Sequence, residues 1–227
     1  IIYDPPNGRQ PPMTPAGKMK AADNFSSFAY LNDGTASWLE NGDHGPFDGP
    51  EDLALAERCL LGFSPGTPSL PSLYNNYRRI IQTEDHVMIL LEMVHDARII
   101  RLNSEHGSAD NKKWLGDSIG HWEGDTLVVE TKNFRAQSAL SGADENLQVV
   151  EHFTQMDNGN LVYDFTVTDA TAWTEPWSGQ FVWKRSNERV YEYACHEANY
   201  AMGNILRGAR LLEKEALASQ TASKREG

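Results

Sequence analysis

Apolar and polar positions alternate along most of the second half of the chain, and the pattern is sharpest from Tyr77 to Leu102, two strand-like runs hinged at Thr83-Glu84-Asp85. Val87, Ile89, Leu91 and Met93 share one face of an extended strand, and continuing the period of two places His95 on that face. Asp96 and Arg98 then fall on the opposite face, beside Ile100 and Leu102. Ionisable groups on otherwise apolar faces require partners, so this stretch is expected to form the floor or wall of a site.

Similar runs follow. A hairpin is expected from Ser118 to Thr131, turning at Glu123-Gly124-Asp125, with Leu127, Val129 and Thr131 on one face and Asn133 at its end. Leu147 to Thr154 pairs with Leu161 to Thr168 across Asp157-Asn158-Gly159-Asn160, and Phe181 to Arg185 with Val190 to Cys195 across Ser186-Asn187-Glu188. About eight strands joined mostly by short turns, without helices between them, predict a mainly β protein: an antiparallel, lipocalin-like (calycin-type) barrel. Residues 74–196 carry this barrel, residues 1–73 form an N-terminal proline-rich arm and helices packed on it, and residues 197–227 form a C-terminal helix and tail. Pro5, Pro6, Pro11, Pro12 and Pro15 impose an extended arm. A helix is expected from Pro15 to about Tyr30, with Thr14 as its cap, then a loop from Leu31 to Phe47, and a second helix from about Pro50 to Leu61. The last helix starts near Ala198 or Asn204 and ends at Ala218, with Ile205, Leu206, Ala209, Leu212 and Ala216 facing the barrel and Ser219 to Gly227 frayed.

With 227 residues, 40% of them hydrophobic, the chain is long enough for a full core. A formal charge of −12 argues against attraction to nucleic acid or to an anionic membrane, and no apolar run spans a bilayer. The expected partner is a small molecule, and the expected assembly a monomer or small homo-oligomer. The opening, Ile1-Ile2-Tyr3, has no Met and reads as trimmed after an export signal. The two cysteines, Cys59 and Cys195, admit two readings. In an exported protein a disulfide between them closes a long loop, with a chain-entropy contribution on the order of 4 to 5 kcal/mol; the alternative is two buried thiols. The bridge is preferred.

Of seven histidines, those at 44, 86, 106 and 152 sit among polar or turn residues and read as solvated. His95, His121 and His196 each adjoin a carboxylate: Asp96, Glu123 and Glu197. Neighbours along a strand face opposite ways, so any pairing must cross strands. His95, Asp96, His196 and Glu197 are the candidate catalytic residues, for general acid and base chemistry; their alternatives are a core histidine satisfied by a carbonyl and a capping pair on the last helix. Candidate ligand contacts are Arg98, by its guanidinium fork, Tyr74, Asn75 and Asn76 at the rim, His121, Asn133, Tyr200, and Trp173 and Trp177 as a stacking platform or an apolar lid. Arg98 equally suits neutralising Asp96, Glu92 or Glu130, and the asparagines suit a turn. No GxSxG, GxGxxG or P-loop pattern occurs, so no nucleotide or flavin is expected. The cofactor and metal are otherwise left open: three histidines admit a divalent metal, but no short ligand spacing supports one.

The runs VHDARIIRL, GDSIGHWEGDTLVVETKNF and YEYACHEANY, with the opening DPPNGRQPPMTP, resemble a large family of uncharacterised exported bacterial proteins. That resemblance implies a periplasmic or secreted protein and assigns no residue a role. The WEGDTLVVET hairpin is also similar to hairpins of lipocalin-like barrels, whose members mostly hold small molecules. The expectation is an exported barrel enzyme, a lyase, isomerase or hydrolase acting on a small organic or sugar-derived molecule. The alternatives are a carrier of the same shape, and an interaction module docking through its proline arm.

Overall fold

The described residues form nine strands: β1 (Ile2–Asp4), β2 (Arg78–Gln82), β3 (His86–Leu91), β4 (Ala97–Leu102), β5 (Asp117–Glu123), β6 (Thr126–Lys132), β7 (Gln148–Gln155), β8 (Leu161–Thr168) and β9 (Trp177–Trp183). In this computed structural model, which describes residues 1–24, 27, 34–41, 45–62, 66–138 and 140–226, they form one sheet in the order β1-β9-β8-β7-β6-β5-β4-β3-β2. The sheet curls into a half-barrel whose edges are β1 and β2. Its concave face carries Val87, Ile89, Ile100, Leu127, Val129, Val149, Phe153, Tyr163 and Phe165, all buried.

Three features depart from the expected meander. Strand β4 pairs with β5 in parallel, Ile100 opposite Ser118 and Leu102 opposite Gly120. Parallel neighbours need a crossover of a dozen or more residues, and the polar link from Asn103 to Gly116 has that length. The long run to Leu102 is also broken: Met93–His95 make one turn of 3-10 helix, so His95 does not continue the face of Val87 and Ile89. Val94 and His95 have φ of 57° and 46°, left-handed values that a β-branched residue adopts only at a cost. Finally, Val190 to Cys195 is not a strand. Side chains take the place of the ladder there: the Tyr191 N–H donates to Glu92 Oε1 at 3.1 Å, and the Tyr193 carbonyl accepts from His95.

The N-terminal arm closes one edge. Strand β1 pairs with β9, Met13 bridges Trp173, and Thr14 caps helix α1 (Pro15–Asp23) by accepting the Gly17 N–H at 3.0 Å. Positions 25, 26 and 28–30 of the helix expected to reach Tyr30, positions 31–33 and 42–44 of the loop that follows it, and His44 with them, lie outside the described residues. Instead of a helix from Pro50 to Leu61 there is one 3-10 turn, Pro50–Asp52, closed by Asp52 accepting the Gly49 N–H. Leu53, Ala54 and Leu55 are buried in succession, which no helix face allows. Segment 66–70 enters the concave face, where the Ser69 N–H donates to the Tyr163 hydroxyl at 2.7 Å.

The chain forms two compact units, residues 1–21 with 61–193, and residues 22–60 with 194–227. In the second, helix α2 (Tyr200–Glu226) runs well past the expected Ala218. Its Ala209, Leu212 and Ala216 pack on Ala36, Trp38 and Phe47, and Trp38 Nε1 donates to Glu213 at 2.9 Å. Cys59 and Cys195 are bridged within this unit, with Cα atoms 5.8 Å apart and 136 positions between them in sequence. No described helix is long and apolar enough to cross a membrane.

Gly17 marks the closest approach of α1 to the sheet's connecting loops. A Cβ there would stand 2.3 Å from the Ala172 carbonyl oxygen. Gly17→Ala is expected to cost about 1 to 3 kcal/mol through overpacking, outweighing the better helix propensity of alanine. Denaturant unfolding checks this; equal or greater stability contradicts the packing.

Candidate functional site

Arg98 reaches the concave face by the alternation that buries Ile100 and Leu102, directly opposite Ile89 on β3. There its guanidinium forks onto Glu151, which the same period of two brings inward between Val149 and Phe153. Arg98 Nε donates to Ser118 Oγ at 3.0 Å and Nη2 to Thr131 Oγ1 at 3.3 Å. Tyr163 donates its hydroxyl hydrogen to Glu151 Oε1 at 2.7 Å. Arg98 and Glu151 are 3% and 0% exposed, so this is a dry network. Burial pulls the Arg98 guanidinium down, and Glu151 overrides it and holds it above its usual value. Burial, then the Glu151 charge, pushes the Tyr163 phenol well up, so it remains a donor. With every strong group partnered, the network holds the sheet's curvature; of the roles open to Arg98, the structure gives it a carboxylate partner, Glu151.

Beside this network lies an open cup. A cleft of about 800 Å³ has an apolar part, Ile80, Val87, Ile89, Leu127, Phe153 and Leu161, and is also lined by Gln82, Gln155 and the carboxylates of Asp125 and Asp157. An adjoining cleft of about 920 Å³ shares Ile80, Gly159, Leu161 and Arg185 with it, and adds Asn75, Asn76, Arg78, Arg79 and Lys184. The Arg78 guanidinium lies 4.5 Å over the Trp183 ring and joins edge strand β2 to β9.

The strained turn at Val94 and His95 borders a third, smaller cleft of about 320 Å³, lined also by Arg79, Leu90, Leu91, Val190, Tyr191 and Glu192. His95 Nδ1 is 3.0 Å from the Tyr193 carbonyl. A carbonyl only accepts, so Nδ1 donates this bond and Nε2 is the ring nitrogen left outside it. Next to it, burial pushes the Asp96 carboxyl up to about 6, against the opposing pull of the Gly62 N–H and of His95.

The other expected site residues are dispersed. Tyr74 places its hydroxyl 3.5 Å from that of Tyr193. Asn75 has φ of 52°, and Asn76 is spent on the Ser72 N–H and carbonyl, both at 2.7 Å, so the asparagines serve a turn while lining the larger cleft. His121 is exposed and pairs with Glu123 at 3.1 Å. Asn133 is buried with φ of 61° and donates to the Gly107 carbonyl. Trp173 and Trp177 are each 1% exposed and pack edge to face in the core, bordering none of the three clefts. His196, Glu197 and Tyr200 belong to the second unit, His95 and Asp96 to the first. All three are exposed, and the His196 carbonyl accepts the Asn199 N–H at the start of α2. Among the described residues no three His, Cys, Asp or Glu side chains gather as a metal site would require.

Two groups escaped the sequence reading. Glu151 was legible, since the alternation that flagged Arg98 marks it equally. Asp117 was not: its carboxylate gathers Lys113 Nζ at 2.6 Å, Arg101 Nη2 at 2.8 Å, the Gly107 N–H at 2.9 Å and His106 Nδ1 at 3.3 Å, all from the crossover and its neighbours. His106, read as solvated, also reaches Glu130 Oε1 at 3.2 Å.

The fold and clefts define a curled-sheet protein with a solvent-open cup on its concave side. No protein-family model matches the chain, and no curated protein matches it.

Burial pushes Asp117 up, but the bonds from Lys113, Gly107 and His106 prevail and hold it at about 2. A carboxyl lowered on folding contributes stability above its unfolded value near 4, and that contribution is lost as pH falls toward 2. The shift corresponds to roughly 2 kcal/mol. Asp117→Asn is therefore expected to lower stability at pH 7 and to flatten its fall between pH 4 and pH 2, measured by denaturant midpoints; an unchanged acid limb contradicts this.

Proposed function

We propose that this protein binds a small organic molecule in the cup of its half-barrel, as a carrier of lipocalin-like character with one side left open. The observation that carries the reading is the continuity of two clefts, one with an apolar floor and one with a polar rim, the combination that small-molecule sites use. The sheet curls around this space while the buried Arg98 and Glu151 network keeps its own polar groups out of reach. A monomer or small homo-oligomer suffices, because all the lining residues come from one unit of one chain. The disulfide favours an oxidising compartment, and periplasmic or secreted location is part of the proposal.

A second reading has its own observation in its favour. A left-handed Val94-His95 pair is costly, and such strain gathers at functional sites. It presents an imidazole with a free Nε2 beside a carboxyl raised to about 6, a combination suited to proton transfer near neutral pH. On this reading the protein is a lyase, isomerase or hydrolase with His95 as base and Asp96 tuning it.

The binding reading is tested with the neutral probe N-phenyl-1-naphthylamine. Saturable fluorescence enhancement is expected, weakened about ten-fold or more by Ile80→Glu, which places a charge on the cup's apolar wall; a response that does not saturate, or that ignores this change, rejects it.

The catalytic reading predicts that His95→Ala abolishes any turnover found by screening small organic substrates, with probe binding and thermal midpoint kept. Its pH-rate profile should show a limb near pH 6 that Asp96→Asn removes. Full turnover by the His95→Ala protein eliminates it.

A further inference from the structure

Acidic residues outnumber basic ones by 32 to 20 in this chain, yet the larger cleft reverses that balance. Arg78, Arg79, Lys184 and Arg185 line it, against a single carboxylate, Glu188. Of the cations outside it, Lys20, Arg98, Arg101, Lys112, Lys113, Lys132 and Arg210 hold carboxylates. Among the described residues, none of the four cations in the cleft forms an ion pair. Arg78 spends its donors on neutral acceptors, the Ser69 hydroxyl at 2.9 Å and the carbonyls of Asn76, Leu70 and Ser69. It therefore brings charge with one of its five donors, on Nη1, left over. The side chains of Arg79, Lys184 and Arg185 make no hydrogen bond among the described residues, so their donors are available.

The position of Arg185 ties this charge to the apolar cup, because it lines both clefts. Its aliphatic stem lies against Gly159, where a Cβ would stand 3.3 Å from Cδ. The polar end of the cup and its apolar floor are thus one continuous surface with a change of character at Arg185. A ligand matching it has an anionic head and a hydrocarbon body.

We propose that the cup's ligand is a carboxylic acid with an apolar body, its carboxylate held by Arg185, where the two clefts join, and drawn by the charge of Arg78, which shares the face of Ile80 on β2, and its hydrocarbon lying on Ile80, Leu127, Phe153 and Leu161. Guanidinium forks suit a carboxylate's two oxygens, and the head displaces only solvent from donors that have no other partner. This deepens the binding reading above and rests on it.

Isothermal titration of the full chain with decanoate, decanol and decyltrimethylammonium separates the two. Decanoate is expected to bind about ten-fold or more tightly than decanol, with the ammonium compound weakest and the decanoate advantage shrinking at high salt. In the variant Arg185→Gln, an exposed position, decanoate should lose most of its advantage over decanol, and retention of the full advantage overturns the assignment of the head to Arg185. Equal affinity of decanoate and decanol in the unaltered protein overturns the anionic head and leaves the binding reading standing. Binding of none of the three overturns both.

Discussion

The ion pair between Arg98 and Glu151 is the constraint around which the half-barrel is arranged. Two charges buried this deeply are tolerated only with their hydrogen-bonding capacity filled, and Ser118, Thr131 and Tyr163 fill it from three further strands. The network thereby requires β4 to β8 to curve around one point. Removing one partner would strand the other charge, a loss typically of about 3 to 5 kcal/mol. Segment 66–70 is drawn into the same arrangement through Ser69 and the Tyr163 hydroxyl.

Around that fixed centre the concave face divides by chemistry. One end is filled by Phe134, Trp173 and Trp177 and is solid core. The other end stays open because, among the described residues, no backbone ladder joins edge strand β2 to β9, and the Arg78 guanidinium over Trp183 spans them instead. A closed barrel would satisfy the β2 edge and cover the cup; this chain leaves both accessible. The Glu92 to Asp96 turn adds a second feature on the same unit, and its unusual backbone is held by Tyr191 and Tyr193 through side-chain bonds to Glu92 and His95.

Much of this was legible in the pattern of residues. Alternation located β2 and β5 to β8 to within a few positions, while it ran β3 and β4 together and caught only the end of β9; Thr14 and Pro15 announced the start of α1, and Arg98 declared itself as a charge on an apolar face. Where the reading failed, it failed at points where one backbone group could be served in two ways. Period two carried His95 along the strand, but Glu92 accepts the Tyr191 N–H and the chain turns at Val94. The same substitution of side-chain for ladder bonds removed the strand expected from Val190 to Cys195. His106 looked solvated because its partner Asp117 lies across a crossover that local pattern does not reveal. The C-terminal helix outran its expected end, its last turns helped by Ser219 and Thr221 donating to the Glu215 and Leu217 carbonyls.

By itself the sequence determined the mainly β character, the hairpin turns at 83–85, 123–125 and 157–160 and which faces are apolar, since these follow from side-chain period and from turn residues within a few positions of each other. Tertiary structure alone decided which strands became neighbours, that β4 and β5 run in parallel, and that Cys59 meets Cys195. It also decided that the unpaired cations at 79, 184 and 185 share one cleft. Such pairings depend on how the whole sheet closes over its buried charges, and no short window of sequence contains that information.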